Sequence, residues 1–326
     1  MSPDGRLGRA RALAGSTRRR LGLASPTELR VEELDRRLAA IEQWLHESWE
    51  TTTESLQRLE HRVARTQQVQ GMETAPLDPL ELRNVLWAIA TEEPEMRRRV
   101  WALRDEPGYD LAFTEPEPLI SIVIPTRDRP SLLTERSLPS ALAQTHANIE
   151  VLVVGDTAGP EIGAALASVD DDRVRYRNLP HRVVASDDER KHWLVAATMM
   201  RNEGARMARG RWLVSLDDDD AMYPDQIERL LELARETRAE VVYGKVRELG
   251  SDGAPSGERG EFPPRAGEFN WQAAIYHGAL RVFERHFTAA EFATPGDWYM
   301  LERMLRTGVR FAMLDELVCD YFPSQS

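Results

Sequence analysis

Over the C-terminal two-thirds of the chain, short unbroken apolar runs alternate with stretches in which apolar residues recur every three or four positions. "LISIVIPT" (Leu119 to Thr126) and "IEVLVVGD" (Ile149 to Asp156) are rich in β-branched residues, the pattern of strands buried on both faces of a parallel sheet. Between them "SLLTERSLPSALAQT" predicts a crossover helix, and a helix over Glu161 to Val169 leads to the strand "VRYRNL". A further helix ending in "MMRNEGARMARG" delivers the chain to "RWLVSL". An amphipathic helix, "YPDQIERLLELARETR", with Pro224 in its first turn, then leads to the strand "AEVVYGKV". Alternating strands and helices predict an α/β doubly wound sheet.

The N-terminal third has a different texture. From Pro26 to Gln70 apolar residues fall at Val31, Leu34, Leu38, Ile41 and Leu45, then pass through Trp49 to Leu56, Leu59 and Val63. Alternating spacings of three and four predict a coiled-coil helix over 26–70. The eleven-residue step from Leu45 to Leu56 reads as a stutter that relaxes the supercoil. Such a seam predicts a homo-oligomer; a single helix folded back on the rest of the chain is the alternative. Gly71 ends it, Asp78 and Pro79 start the next helix, and 71–117 reads as a helical spacer closing in the extended linker "TEPEPL". The expected divisions are thus 1–25, 26–70, 71–117 and 118–326.

Composition narrows the classes. With 326 residues, 42% of them hydrophobic, the chain can bury a sizeable core. A net charge of −12 argues against a general nucleic-acid binder, since no overall basic field attracts a polyphosphate backbone. A single cysteine, Cys319, excludes an intramolecular disulfide and fits a reducing cytoplasm. The arginine-rich segment 1–25 lacks the apolar core of a signal peptide and reads as a disordered basic tail; a contact with an anionic membrane surface at the inner face of the membrane is the competing reading. No run of 18 apolar residues predicts a membrane span.

Candidate chemistry collects at the ends of strands, where open α/β sheets bind ligands. Thr126, Arg127 and Asp128 follow the first strand, Asp156 ends the second, and four consecutive aspartates, Asp217 to Asp220, follow the fourth. Adjacent carboxylates repel by ~1 kcal/mol at 4 Å in water and more where solvent is excluded, so something should compensate, and the site is expected to bind cations even before substrate arrives. A solvated turn before the helix near Pro224 is the plainer reading of the same residues. "GSDGAPSGERGEFPPRAGEFN", between Leu249 and Asn270, predicts a mobile loop, either a lid or a surface excursion.

Three pieces, in order, resemble the family 2 glycosyltransferases of GT-A fold. "SIVIPTRDRPSLLTERSLPSALAQTHANIEVLVVGD" looks like that family's opening strand, helix and second strand; "RNEGARMARGRWLVSLDDDDAMYPDQI" like its Asn-x-Gly helix and Asp-x-Asp motif; "GDWYMLERMLRTGVRF" like its Glu-Asp-Trp-Asp region. The resemblance runs from about Leu119 to Val318 and does not extend to Met1 to Glu117. It implies a GT-A nucleotide-sugar-binding, Rossmann-like domain preceded by the coiled coil.

It also implies an inverting transfer of a sugar from a UDP-, GDP- or dTDP-linked donor to a glycan, lipid-linked or small-molecule acceptor, in synthesis of a bacterial surface glycan or related glycoconjugate. Mn²⁺ or Mg²⁺ would be held by Asp219 and Asp217. Pro125, Thr126 and Arg127 would line the base pocket with Asp156, and Arg201, Asn202, Asp217 and Asp218 would face the donor. Asp297 would be the catalytic base. Gly155 and Gly296 stand where many relatives carry acidic residues. Asp220 is expected to cap the following helix. Trp298 offers either a stacking face for sugar or ordinary packing, and His277 either approaches the diphosphate or is structural. A non-catalytic scaffold with a nucleotide- or glycan-binding module is the alternative from a different class. A nucleotidyltransferase would need a glycine- and lysine-rich phosphate loop, which "PTRDRPS" does not provide.

Overall fold

The computed structural model describes residues 94–181, 188–292 and 294–322. The chain divides into two compact units, Met1–Pro76 and Leu77–Ser326, and the described residues lie in the second. The expected basic tail, the coiled-coil helix and the first part of the spacer therefore fall outside the described residues.

The elements follow the apolar pattern closely. Helix α1 covers residues 94–104 and α2 is Leu111–Thr114. Strand β1 (Ile120–Thr126) leads into α3, built from Pro130–Leu132, a π-helical stretch Leu133–Ser137 and Leu138–Leu142. Then come β2 (Ile149–Asp156), α4 (Pro160–Ala167), β3 (Val174–Leu179), α5 (Glu189–Val195), α6 (Thr198–Met207) and β4 (Trp212–Ser215). Past the aspartates lie β5 (Ala221–Met222), α7 (Gln226–Thr237), β6 (Val241–Leu249), β7 (Pro255–Arg259), β8 (Ala274–His277), α8 (Gly296–Thr307) and β9 (Phe311–Tyr321).

Among the described residues nine strands form one sheet in the order β3-β2-β1-β4-β8-β6-β9-β5, with β7 paired to β6. One half is parallel: β1 lies between β2 and β4, and β3 pairs with β2. The other half is mixed, because β8 runs antiparallel to both β4 and β6 while β9 runs parallel to β6. The expected doubly wound α/β sheet is therefore mixed in this half, where β6 is followed by a hairpin to β7. The segment 250–270, expected as a loop, thus contains a strand: Gly250 N–H donates to Ala254 O at 2.7 Å and Gly253 takes φ +77°, closing the hairpin turn.

Period-two alternation divides the sheet between two cores. Ile120, Ile122 and Ile124 of β1 join Trp212, Val214 and Leu216 in one cluster, with Ile227, Leu230 and Leu231 of α7. Val123 and Leu213 point the other way, to Met300, Leu301 and Met304 of α8. Each fully buried Leu, Ile or Val contributes ~1.5–3 kcal/mol of transfer free energy, and the polar residues buried inside β1 and β2 are paired, Ser121 Oγ donating to Glu150 Oε1 at 2.7 Å. Gly204 lets α6 lie directly over β1, since a Cβ there would meet Val123 Cγ1 at 2.2 Å. The segment 94–114 is fastened by buried Glu240, which accepts from Arg104 Nε at 2.7 Å and from the hydroxyl of Tyr109 at 2.5 Å. Burial alone would raise the Glu240 carboxyl, but Arg104 and Tyr109 hold it below its ordinary value.

The register that matters for ligands is Thr126 opposite Gly155 and Val123 opposite Ser215. It brings the carboxyl ends of β1, β2 and β4 to one edge. Among the described residues no helix is long and apolar enough to cross a membrane.

Candidate functional site

The four aspartates leave β4 where its ladder ends, after Leu216 N–H donates to Val123 O at 2.9 Å. Each then meets a different environment. Asp217 pairs with Arg201 of α6. Asp218 is buried, accepts from Thr126 Oγ1 at 2.8 Å and pairs with Arg129 Nη2 at 2.5 Å. Asp219 pairs with Arg129 Nη1 at 2.5 Å, and its carbonyl accepts from Arg136 at 2.7 Å. Asp220 is wholly buried; one of its oxygens accepts from Phe322 N–H at 2.8 Å and the other, Oδ2, has no partner.

Burial dominates the electrostatics of this row. It pushes Asp218 up to about 6 against the pull of Arg129 and raises Asp219 in the same way. Asp220 is carried well above the usual carboxylate range by burial and then by the charge of Asp217. The expectation that Asp220 caps the next helix is corrected. Strand β5 intervenes, pairs with β9, and turns Asp220 toward the C-terminal strand, while α7 starts at Gln226 behind Asp225 with no side-chain cap. Pro224 likewise precedes α7, its carbonyl accepting from Thr145 N–H at 2.8 Å.

Across the cleft stands a second wall, made by α6, the segment after β8 and the start of α8. Asp297 lies in the first turn of α8, and its Oδ1 accepts from Trp298 N–H at 2.7 Å. Trp271 Nε1 donates to the Asp297 carbonyl at 3.1 Å. Arg285 is buried, its guanidinium 5.4 Å from the Trp271 ring centroid. Burial, and then the neighbouring charge of Arg201, lower Arg285 to about 10. Arg201 feels Asp217 first among its charged neighbours and Asp297 next, so it lies between the two walls.

The space enclosed is about 660 Å³, within the range of small-molecule sites. Pro125, Thr126, Arg127, Asp156, Arg201, Asp217, Asp218, Asp219 and Asp297 all line it. Asn202 stands behind: its amide donates to Arg285 O at 2.8 Å and accepts from Arg285 N–H at 2.9 Å. His277 is structural, a buried ring stacked on Tyr109, with Nδ1 accepting from Ala279 N–H and Nε2 donating to Tyr109 O, both at 3.0 Å. Trp298 packs on the α8 core, the ordinary reading, and also lines the cleft.

Of the two departures from the family pattern, only Gly155 has a steric reason, since a Cβ at Gly296 would make ordinary contacts. A Cβ at Gly155 would meet Asn178 Oδ1 at 2.7 Å and the Tyr176 hydroxyl at 2.9 Å, so neighbours fill that space. A Cβ at Gly296 would touch Thr198 Oγ1 at 3.4 Å where α5 and α6 close over α8. Arg129, Arg136, Trp193, Trp271 and Arg285 also reach this region and were not foreseen. For Arg129 a signal existed, a second arginine two positions after Arg127 in a loop facing an acidic row; Arg285 carried none.

A hard divalent cation fits the donor set in a limited way. Among the described residues no group of three or more His, Cys, Asp or Glu side chains is arranged around one point. Asp217 and Asp219 can supply one or two carboxylates, the share a protein takes when substrate phosphates and water complete an octahedral shell.

The mixed α/β sheet with its acidic strand end places the chain in the Rossmann-like class expected from its motifs. Residues 121–290 match the family described as Glycosyl transferase family 2, just over half of the chain, and the protein belongs to that family of transferases. Among curated relatives, the succinoglycan biosynthesis protein ExoO of Rhizobium meliloti is 34% identical over 118 residues, which is 36% of this chain and 30% of that protein. The GalNAc(5)-diNAcBac-PP-undecaprenol beta-1,3-glucosyltransferase of Campylobacter jejuni is 25% identical over 38% of this chain and 37% of that protein. The matched segment thus spans about a third of these relatives. Of solved structures, S. aureus TarS 1-349 in complex with UDP aligns at a TM-score of 0.49 and 16% identity, covering 63% of this chain and 60% of that one.

Proposed function

We propose that the protein is an inverting glycosyltransferase that moves a sugar from a nucleotide-diphosphate donor to a hydroxyl of a bacterial surface glycan or related glycoconjugate. The observation that carries this reading is the facing of two acidic groups across one cleft, the Asp217–Asp219 row on one wall and Asp297 on the other, with Arg201 between them. Single displacement needs that separation, because the leaving diphosphate and the attacking hydroxyl stand on opposite sides of the anomeric carbon. The relatives' names support the biological setting, one in succinoglycan synthesis and one acting on an undecaprenol-linked glycan.

On this reading Pro125, Thr126, Arg127 and Asp156 bind the nucleoside, and Arg201 and the aspartate row orient the diphosphate. A bound Mn²⁺ or Mg²⁺ on Asp219 and Asp217 would neutralise charge building on the leaving diphosphate. Asp297 accepts the acceptor hydroxyl's proton as its oxygen attacks. The main chain around Asp297 is held by Trp271, and its carboxylate accepts from Trp298 N–H. Trp193, 69% exposed at the cleft, offers a face on which an acceptor sugar can stack. The oligomerisation expected of residues 26–70 lies outside the described residues, and a cytoplasmic location follows from the activated donor.

The test is a thermal-shift panel of UDP, GDP, dTDP and CDP with and without Mn²⁺. A metal-dependent shift with one base is the expected result. No shift with any nucleotide would remove the donor assignment and favour a glycan-binding scaffold.

A further inference from the structure

Among the described residues, buried Arg285 in the cleft forms no ion pair, although Asp297 and Asp217 act on it from farther away. Arg285 is 4% exposed and lines the cleft, yet its Nε and Nη2 atoms have no hydrogen-bond partner. These two N–H groups form one edge of the guanidinium and point the same way, the fork that receives a carboxylate or phosphate through two parallel bonds. A buried donor left without a partner is costly, and a charged one more so.

The backbone of Arg285 is held on both sides by Asn202, and its guanidinium rests over Trp271. The fork is therefore held in place without a ligand. Two other cleft arginines are ion-paired: Arg129 with Asp218 and Asp219, and Arg201 through Nη2 with Asp217, although Arg201 Nε also lacks a partner.

Position decides what the fork is for. Arg285 belongs to the wall of Trp271 and Asp297, since Trp271 contacts both. If Asp297 is the base, that wall faces the sugar ring, while the diphosphate lies toward Arg201 and the aspartate row. An anion seated on Arg285 is then part of a sugar, and the anionic group that sugars carry on the ring itself is a carboxylate.

We propose that the Nε–Nη2 edge of Arg285 is a carboxylate subsite at the sugar end of the cleft, and that this enzyme handles an acidic sugar of the hexuronate class. The inference rests on the glycosyltransferase reading for its geometry, and the experiment separates the two.

Binding of UDP, UDP-glucose, UDP-glucuronate, GDP, GDP-mannose, GDP-mannuronate and free disaccharides terminated by glucuronate or by glucose is measured by calorimetry on the full chain with Mn²⁺. The same is done for Arg285→Gln and Arg285→Lys, with melting temperatures to verify folding. The expected result is a preference of about tenfold or more for the nucleotide uronate over its neutral counterpart. Both variants lose that preference, while bare UDP or GDP binding is unchanged; lysine fails because it keeps the charge without the fork. A preference seen with the free disaccharide instead upholds the subsite and assigns the acidic sugar to the acceptor. Equal binding of acidic and neutral sugars in both arms overturns the inference, as does Arg285→Gln weakening bare nucleotide, which would give the fork to the diphosphate. Failure of every nucleotide to bind would sink the donor assignment alone, with the disaccharide arm still deciding the subsite.

Discussion

Arg129→Ala is the perturbation that separates the electrostatics of the aspartate row from its fold. Arg129 bridges Asp218 and Asp219 with two contacts of 2.5 Å, and the carboxylates are 2% and 14% exposed while the arginine is 46% exposed. At ~4 Å between charges and an effective dielectric of ~20, each pair is worth about 4 kcal/mol before desolvation. Exposed pairs retain ~0.2–1 kcal/mol after that cost, whereas breaking a buried pair forfeits ~3–5 kcal/mol. Solvent on the arginine side places this one between, at about 1–3 kcal/mol. Urea unfolding of Arg129→Ala near pH 7 should therefore show that loss of stability. Mn²⁺ should recover much of it, because a cation on Asp219 no longer displaces a guanidinium. The apparent Mn²⁺ affinity should tighten by about 5- to 150-fold, the same free energy read as a ratio. An affinity equal to the native protein's, together with a stability change under ~0.3 kcal/mol, would refute the idea that arginine and cation compete for these carboxylates.

Three further outcomes follow from the same geometry. Asp297→Asn should leave nucleotide and metal binding within about twofold and lower turnover by at least ~100-fold, measured by release of nucleoside diphosphate; near-native turnover would remove Asp297 as the base. Asp218 is raised from 3.8 to about 6 and Asp220 well above its ordinary value, so their stability contribution is complete below pH ~4 and is lost as pH rises through about 6 and beyond. For Asp218 the effect is ~3 kcal/mol. In metal-free urea titrations, Asp220→Asn should flatten part of this decline, and an unchanged slope would contradict the assignment. Gly210→Ala should destabilise by ~1–3 kcal/mol in thermal unfolding, because its Cβ would fall 2.6 Å from the Ser121 backbone nitrogen and 2.7 Å from Trp212 O, atoms that cannot step aside.

The parallel half of the sheet was legible because its strands are buried on both faces and carry β-branched residues without interruption, as in Ile120–Thr126 and Ile149–Asp156. The other half was less so. Residues 250–270 are dense in glycine, proline and charge, which masked the hairpin signal of Asp252-Gly253, and β5 has only two residues, too few for any pattern. The position of the aspartate row was readable from where the apolar run stops. The division of roles within it was not, since that depends on Arg129, Arg201 and Phe322, which lie 16 to 102 residues away in sequence. His277 illustrates the same limit: ring contacts with Tyr109, Phe113 and Trp212 and a main-chain bond to Tyr109, 168 residues away, settle its role.

The balance of charge in the cleft bears on how a ligand enters it. Asp217, Asp218 and Asp219 each have an arginine, so the acidic row is not waiting unpaired for a metal. Occupation of Asp219 by a cation requires Arg129 to withdraw. The freed guanidinium, attached to the loop after β1, then stands beside the space proposed for the diphosphate. Donor and metal would thus exchange one set of ion pairs for another, and their affinity would reflect the difference between two sets rather than the sum of new contacts. Arg285 lies outside this exchange. Its fork has no carboxylate to give up, so an anion placed there gains the whole interaction without displacing a protein partner. That asymmetry makes the sugar end of the cleft the place where small chemical differences between ligands should be discriminated most strongly.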